Sequence, residues 1–172
     1  GILKYTAELL KIDKSIDNQI IQIETYLEAG LTDDAQKKLA SVRERYPDES
    51  RAVFLQTWLF ARQGKLDESL VLANRNLELD KNNARVWQLR GQINLALDRL
   101  NEALDDLQKS KTLQDNADVR IDIARTYVRT SRDEQAIVEL KTAIDQYGSM
   151  VARNMLEEVY LKMGKQDSLE KF

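Results

Sequence analysis

Apolar residues along the chain recur at spacings of three and four. In the segment ARVWQLRGQINLAL, from Ala84 to Leu97, Val86, Leu89, Ile93 and Leu97 form one stripe with polar residues between them. That period is the signature of one helix face packed against a core. A short polar turn follows, and a second helical stretch runs from Arg99 to Leu113. The chain has one Pro and six Gly, which leaves few of the turns an all-β protein needs. The pattern predicts an all-α chain of paired helices.

The pair repeats. Gly30 and Gly64 are 34 residues apart, and Gly164 lies 100 further on, close to three more periods. The chain reads GLTDDAQKKL from Gly30, GKLDESLVLA from Gly64 and GKQDSLEKF from Gly164, with DRLNEALDDL from Asp98 and SRDEQAIVEL from Ser131 in between. Five residues into each phrase stand Ala35, Ser69, Ala103, Ala136 and Leu169, at steps of 34, 34, 33 and 33. A fixed period of this length marks a stacked helical repeat.

Local chemistry agrees with the period. Asn83, Asn116 and Ser149 each precede a first helix, where a short polar side chain accepts an orphan backbone N–H. Ser131 and Glu134 have the spacing of a capping box before a second helix. Gly30, Gly64 and Gly164 fall where an inter-helix turn needs left-handed backbone angles. Gly91 and Ala103 are expected to face each other and let two helix axes approach, as are Ala124 with Ala136 and Thr57 with Ser69. Tyr26, Phe60, Tyr127 and Tyr160 in first helices and Leu39, Leu107 and Leu140 in second helices fill the space between, and Trp87 is placed to pack between neighbouring helices.

These units resemble the tetratricopeptide repeat, over residues 16–172. With Ile16, Ser50, Ala84, Ala117 and Met150 as first positions, the family Trp is met by Trp87 and the family Gly of the first helix by Gly91. The family Tyr is met by Tyr26, Phe60 (an aromatic near match), Tyr127 and Tyr160, but Asn94 departs. The second-helix Ala is met by Ala35, Ala103 and Ala136, with Ser69 close. Pro47 alone meets the closing Pro, and Asn76 and Ser110 stand where a small apolar residue is usual. The resemblance implies a right-handed superhelical solenoid of about four and a half units: repeats at 16–49, 50–83, 84–116 and 117–149, and a partial fifth at 150–172. Residues 1–15 read as the second helix of an incomplete preceding unit. Neither end resembles a polar capping helix, so the expectation is a longer array that has been cut, or open ends that stack on another copy; the alternative function is then a self-stacking or spacer module of a larger assembly or secretion complex. Gly1 in place of Met points the same way.

Composition narrows the chemistry. The 172 residues contain no His and no Cys, which removes the usual general base, thiolate nucleophiles, disulfides and the commonest metal ligands. Paired acids at Asp33–Asp34, Asp105–Asp106 and Glu157–Glu158 read as solvated helix charge, and their spacing is not that of a calcium loop. No phosphate-binding or dinucleotide motif is present. The expectation is a non-catalytic protein without cofactor or metal. No apolar run reaches the length of a membrane span and no signal segment opens the chain, and the missing Cys is compatible with cytoplasm or periplasm alike.

Resemblance also implies which side chains line the concave face. The second unit supplies Arg51, Phe54, Trp58, Ala61 and Arg62, the third Arg85, Gln88, Gln92, Leu95 and Ala96, and the fourth Asp118, Ile121, Arg125, Val128 and Arg129. Five Arg against one Asp give this face +4 on a chain of net charge −3, whereas the first unit contributes the acidic Asp17, Glu24 and Glu28. Arg grips carboxylates with a planar fork, Trp and Phe serve as anchors, and Gln88 and Gln92 can read an extended backbone. The expected partner is a protein or peptide with acidic and apolar residues, held by Arg51, Phe54, Trp58, Arg62, Arg85, Gln88, Gln92, Arg125 and Arg129. The competing reading is that these Arg pair with neighbouring Asp and Glu. The family's clamp for a C-terminal carboxylate is missing, since Ile20, Phe54, Glu24 and Trp58 occupy its positions. The acidic total and the lack of clustered Lys disfavour nucleic acid.

Overall fold

The computed structural model describes residues 15–165, and among them nine helices alternate with short turns and no strand occurs. They are α1 (Ile16–Glu28), α2 (Thr32–Arg45), α3 (Ser50–Arg62), α4 (Leu66–Leu79), α5 (Ala84–Ala96), α6 (Leu100–Leu113), α7 (Ala117–Arg129), α8 (Asp133–Tyr147) and α9 (Met150–Lys162). The helix expected before Ser15 and the phrase around Leu169 lie outside the described residues.

Odd and even helices start differently. The odd helices follow Ser15, Glu49, Asn83, Asn116 and Ser149, whose side chains each accept the backbone N–H three residues on. The even helices follow Leu31, Lys65, Arg99 and Arg132, and none of these makes a side-chain cap. The tight turn before them explains this. The N–H of Leu31 reaches back to the carbonyl of Tyr26 at 2.8 Å, and Lys65, Arg99, Arg132 and Lys165 reach Phe60, Asn94, Tyr127 and Tyr160 at 2.8–2.9 Å. This six-to-one bond closes the odd helix and requires a left-handed residue just before the donor. Gly30, Gly64 and Gly164 supply it with φ between 68° and 76°, and Asp98 and Ser131 with φ of 60° and 57°. Ser131 is therefore the turn residue and not half of a capping box with Glu134. Its left-handed backbone leaves Arg132 as the residue that enters the helix.

The chain divides after Asp80 into two units. In the first, α1 to α4 bury Ile20, Ile23, Leu39, Val42, Leu55 and Leu59, with Ala35 and Ala52 where helices come close. Polar residues in this unit are bonded internally. The Ser69 hydroxyl donates to the Thr57 carbonyl at 2.7 Å, and the Asn76 amide donates to the Ser50 carbonyl at 2.9 Å while accepting from the Ser50 hydroxyl at 2.7 Å. Arg43 also donates to the Pro47 carbonyl beyond the end of α2.

The second unit, α5 to α9, buries Leu107, Val119 and Ile123 in one cluster and Leu140, Ile144, Leu156, Val159 and Tyr160 in another. A Cβ on Gly91 would lie 2.7 Å from Leu107 Cγ and 3.2 Å from the Ala103 carbonyl oxygen, so the expected close approach of α5 and α6 is present. Ser110 donates to the Ala84 carbonyl at 2.9 Å, in the same register as Asn76 to Ser50.

Carboxylates enter this core. Asp106 is buried and takes both Nε and Nη2 of Arg90, at 2.9 and 2.5 Å, with Asn94 Nδ2 at 2.9 Å. Glu139 takes Lys111 Nζ and Arg120 Nη1, both at 2.6 Å, and Arg120 also holds Asp115 at 2.5 Å. Burial works against the Arg120 charge, yet its bonds to Asp115 and Glu139 hold the guanidinium above its ordinary pKa. Of the paired acids expected to be solvated, Asp33, Asp34, Asp105, Glu157 and Glu158 are exposed, but Asp106 is not. Trp87 donates its indole N–H to the Lys81 carbonyl at 2.8 Å and carries the Arg90 guanidinium 4.6 Å above its ring.

Candidate functional site

The predicted groove residues fall on three odd helices. Arg51, Phe54, Trp58 and Arg62 lie on α3 in the first unit. Arg85, Gln88 and Gln92 lie on α5, and Arg125 and Arg129 on α7, in the second. Each unit has its own arrangement.

On α3, Phe54 and Trp58 are one turn apart and half-buried against the first unit's core. Arg62, a turn further on, places its guanidinium 4.8 Å from the Trp58 ring centre and pairs with no carboxylate among the described residues. Arg51 is committed elsewhere. It bridges Asp17 at 3.2 Å and Glu24 at 3.3 Å, both on α1, and all three side chains are well exposed. The charge of Arg51 is therefore taken up by two acidic groove positions of α1.

In the second unit, Gln88, Gln92 and Arg125 converge. Gln88 Nε2 at 3.0 Å and Gln92 Nε2 at 2.6 Å donate to one oxygen of Asp122, and Arg125 Nη1 at 2.8 Å donates to the other. Only 6% of the Asp122 side chain is exposed, against 50% for Arg125. Arg129 makes a different contact. It donates to the Leu95 carbonyl at 2.5 Å and to Asp98 at 2.6 Å, so it covers the C-terminal end of α5, where a cation meets the negative end of the helix dipole. Lys162 on α9 reaches the start of α8, gripping Asp133 at 2.9 Å. Arg85 is exposed in the first turn of α5.

Thus Arg51, Arg125 and Arg129 each hold a carboxylate of a neighbouring odd helix, of their own helix or of a turn, and the +4 face is largely neutralised. The sequence reading missed Asp122 because it lies one place beyond the position taken as groove-facing. A signal was available: one period earlier stand Leu89 and, before it, Leu55, so an acid occupies a position that is apolar in two other units.

No family model matches the chain, and no curated protein sequence matches it. Solved structures do. TTC0263, a thermophilic TPR protein of Thermus thermophilus, is 19% identical over 92% of this chain and 89% of its own, with a TM-score of 0.81. The fold is that of the tetratricopeptide repeat. The tetratricopeptide-like arrangement also matches PilF of Pseudomonas aeruginosa, at 18% identity over 90% of this chain and 72% of that one, TM-score 0.81. YrrB, described as a TPR protein with an unusual peptide-binding site, aligns at 13% identity over 95% and 86% with a TM-score of 0.69. Among the described residues no helix is long and apolar enough to cross a membrane.

Proposed function

We propose that the chain is a non-catalytic protein-interaction scaffold that holds a partner segment against the exposed faces of its odd helices. The observation that carries this reading is the ridge on α3, where Phe54, Trp58 and Arg62 follow one another at single-turn spacing. Trp and Arg are enriched among the residues that carry the binding energy of protein interfaces. Arg62 lies over an aromatic ring, not beside a carboxylate, so its fork remains available to an acidic residue, and the rings beside it suit an apolar one. The peptide site named for YrrB, which shares the fold, supports the same class of partner.

A displayed library of random dodecapeptides provides the test. Selection against the protein is expected to enrich sequences with Asp or Glu next to Leu or Phe. Arg62→Glu is expected to weaken the best binder by about tenfold, the scale of one charge-assisted hydrogen bond. Trp58→Ala should do at least as much, with a melting curve to confirm folding. Binding unchanged in both variants at moderate salt would refute the α3 ridge.

A second reading, self-association, is favoured by α9. There Met150, Val151 and Leu161 are 65%, 61% and 52% exposed. Light scattering over a concentration series separates the two, and a monomer throughout removes self-association.

A further inference from the structure

The cluster around Asp122 fixes more than its own geometry. A carboxylate only accepts hydrogen bonds, so both Gln side chains must turn their NH2 groups toward it. Their carbonyl oxygens then point away from Asp122. Neither carbonyl oxygen accepts a hydrogen bond among the described residues, Gln92 is exposed, and Gln88 is half-buried. Gln88 and Gln92 stand one turn apart on α5, so the two oxygens sit side by side on its face. The charges beneath them cancel, because Arg125 pairs with Asp122.

We propose that Asp122 is a positioning residue that makes the α5 face an acceptor site, reading the backbone N–H groups of an extended peptide. Alternate N–H groups of an extended chain point to one side, so two of them can face the two oxygens at once. A neutral donor is favoured over a Lys or Arg of the partner, since the local net charge is zero. This deepens the scaffold reading and rests on it. It keeps the backbone-reading role expected of Gln88 and Gln92, fixes its polarity, and removes Arg125 from the groups expected to grip acids: the partner donates here, and acidic side chains gain nothing.

Two measurements test it. The first needs no partner. In side-chain amide NMR spectra of the folded protein, the Gln88 and Gln92 NH2 signals are expected to stand apart from those of exposed Gln and to collapse toward them in Asp122→Leu. The conservative Asp122→Glu should restore part of the separation. Amide signals that do not respond to Asp122→Leu overturn the positioning role. The second uses the strongest dodecapeptide from the selection above, remade with one backbone N-methyl group at each residue in turn. Loss of about tenfold at two residues two apart is expected, and Gln92→Met should abolish the sensitivity at one of them. A peptide that tolerates N-methylation throughout, or that depends on a Lys or Arg at this surface, overturns the acceptor site. A selection that yields no binder overturns the scaffold reading itself, while the amide spectra still decide the role of Asp122.

Discussion

The two units build the same helix pairs with different uses of charge. In the first, Arg51 pairs with Asp17 and Glu24, and Arg75 with Asp48 and Glu78, all on the surface. Its buried polar side chains are neutral, such as Thr57, Ser69 and Asn76. In the second, Asp106, Asp122 and Glu139 are buried, and each takes two or more donors. Hydrogen bonds between neutral groups add little net free energy but cost little to lose in pairs. A buried carboxylate contributes small net stability while its partners are present, yet its removal leaves the donors gathered around it without the acceptor that offset their desolvation. The second unit should therefore be far more sensitive to single truncations, although both share one architecture.

Asp106→Ala gives the largest expected effect. It leaves Asn94, which is 5% exposed, and the 22%-exposed Arg90 side chain without their acceptor. The expected loss is about 3–5 kcal/mol in urea unfolding. The chain has two Trp, one in each unit, so Trp58→Phe leaves Trp87 to report on the second. Replacing the whole network, Arg90→Met with Asn94→Leu and Asp106→Leu, should recover most of the loss. Failure to recover would mean that the network stabilises the unit outright, and the contrast between the units would be one of strength and not of fragility.

That network is not legible in the sequence, whereas the helix pairs are. The helix pairs were legible because the turn repeats its left-handed residue at 30, 64, 98, 131 and 164, whichever amino acid fills it. Gly at three of these sites pointed to the turn. Asp98 and Ser131 were found by period, but Ser131 also fitted a capping motif, and only its φ of 57° separates the two roles. Departures from the family pattern were visible without their reasons. Asn94 replaces an aromatic because it serves Asp106, and Asn76 and Ser110 replace small apolar residues because they bond to Ser50 and Ala84. The groove was the least legible region. A list of residues by position shows five Arg but not the carboxylates one helix away or one place along, and those decide how much charge a partner meets.

Gly91→Ala comes next in size. Leu107, fully buried, lies 2.7 Å from the added carbon and must shift with α6. Overpacking of this kind costs about 1–3 kcal/mol. In the first unit the same register holds Thr57 opposite Ser69, and there Thr57→Ala removes atoms instead of adding them. Its hydroxyl bonds within its own helix, to Val53 at 2.8 Å, so about 1 kcal/mol or less is expected. Equal effects at the two sites would show that helix spacing is not set by these residues.

The smallest effect is expected at Arg51. Its side chain is 44% exposed, and Asp17 and Glu24 keep 75% and 36% of theirs in water. Pairs of this kind contribute about 0–1 kcal/mol and are screened by salt. A double-mutant cycle of Arg51→Ala with Glu24→Ala should therefore give a coupling of a few tenths of a kcal/mol that fades by about 0.5 M salt, where the Debye length is only a few ångströms. The matching cycle of Arg90→Ala with Asp106→Ala should give a coupling several times larger that largely survives the same salt, because Asp106 is buried and Arg90 only 22% exposed. If the Arg51 coupling proved as large and as salt-resistant, exposure would not be what separates the two units, and the groove charges of α1 and α3 would have to be counted among the forces that hold its helices in place.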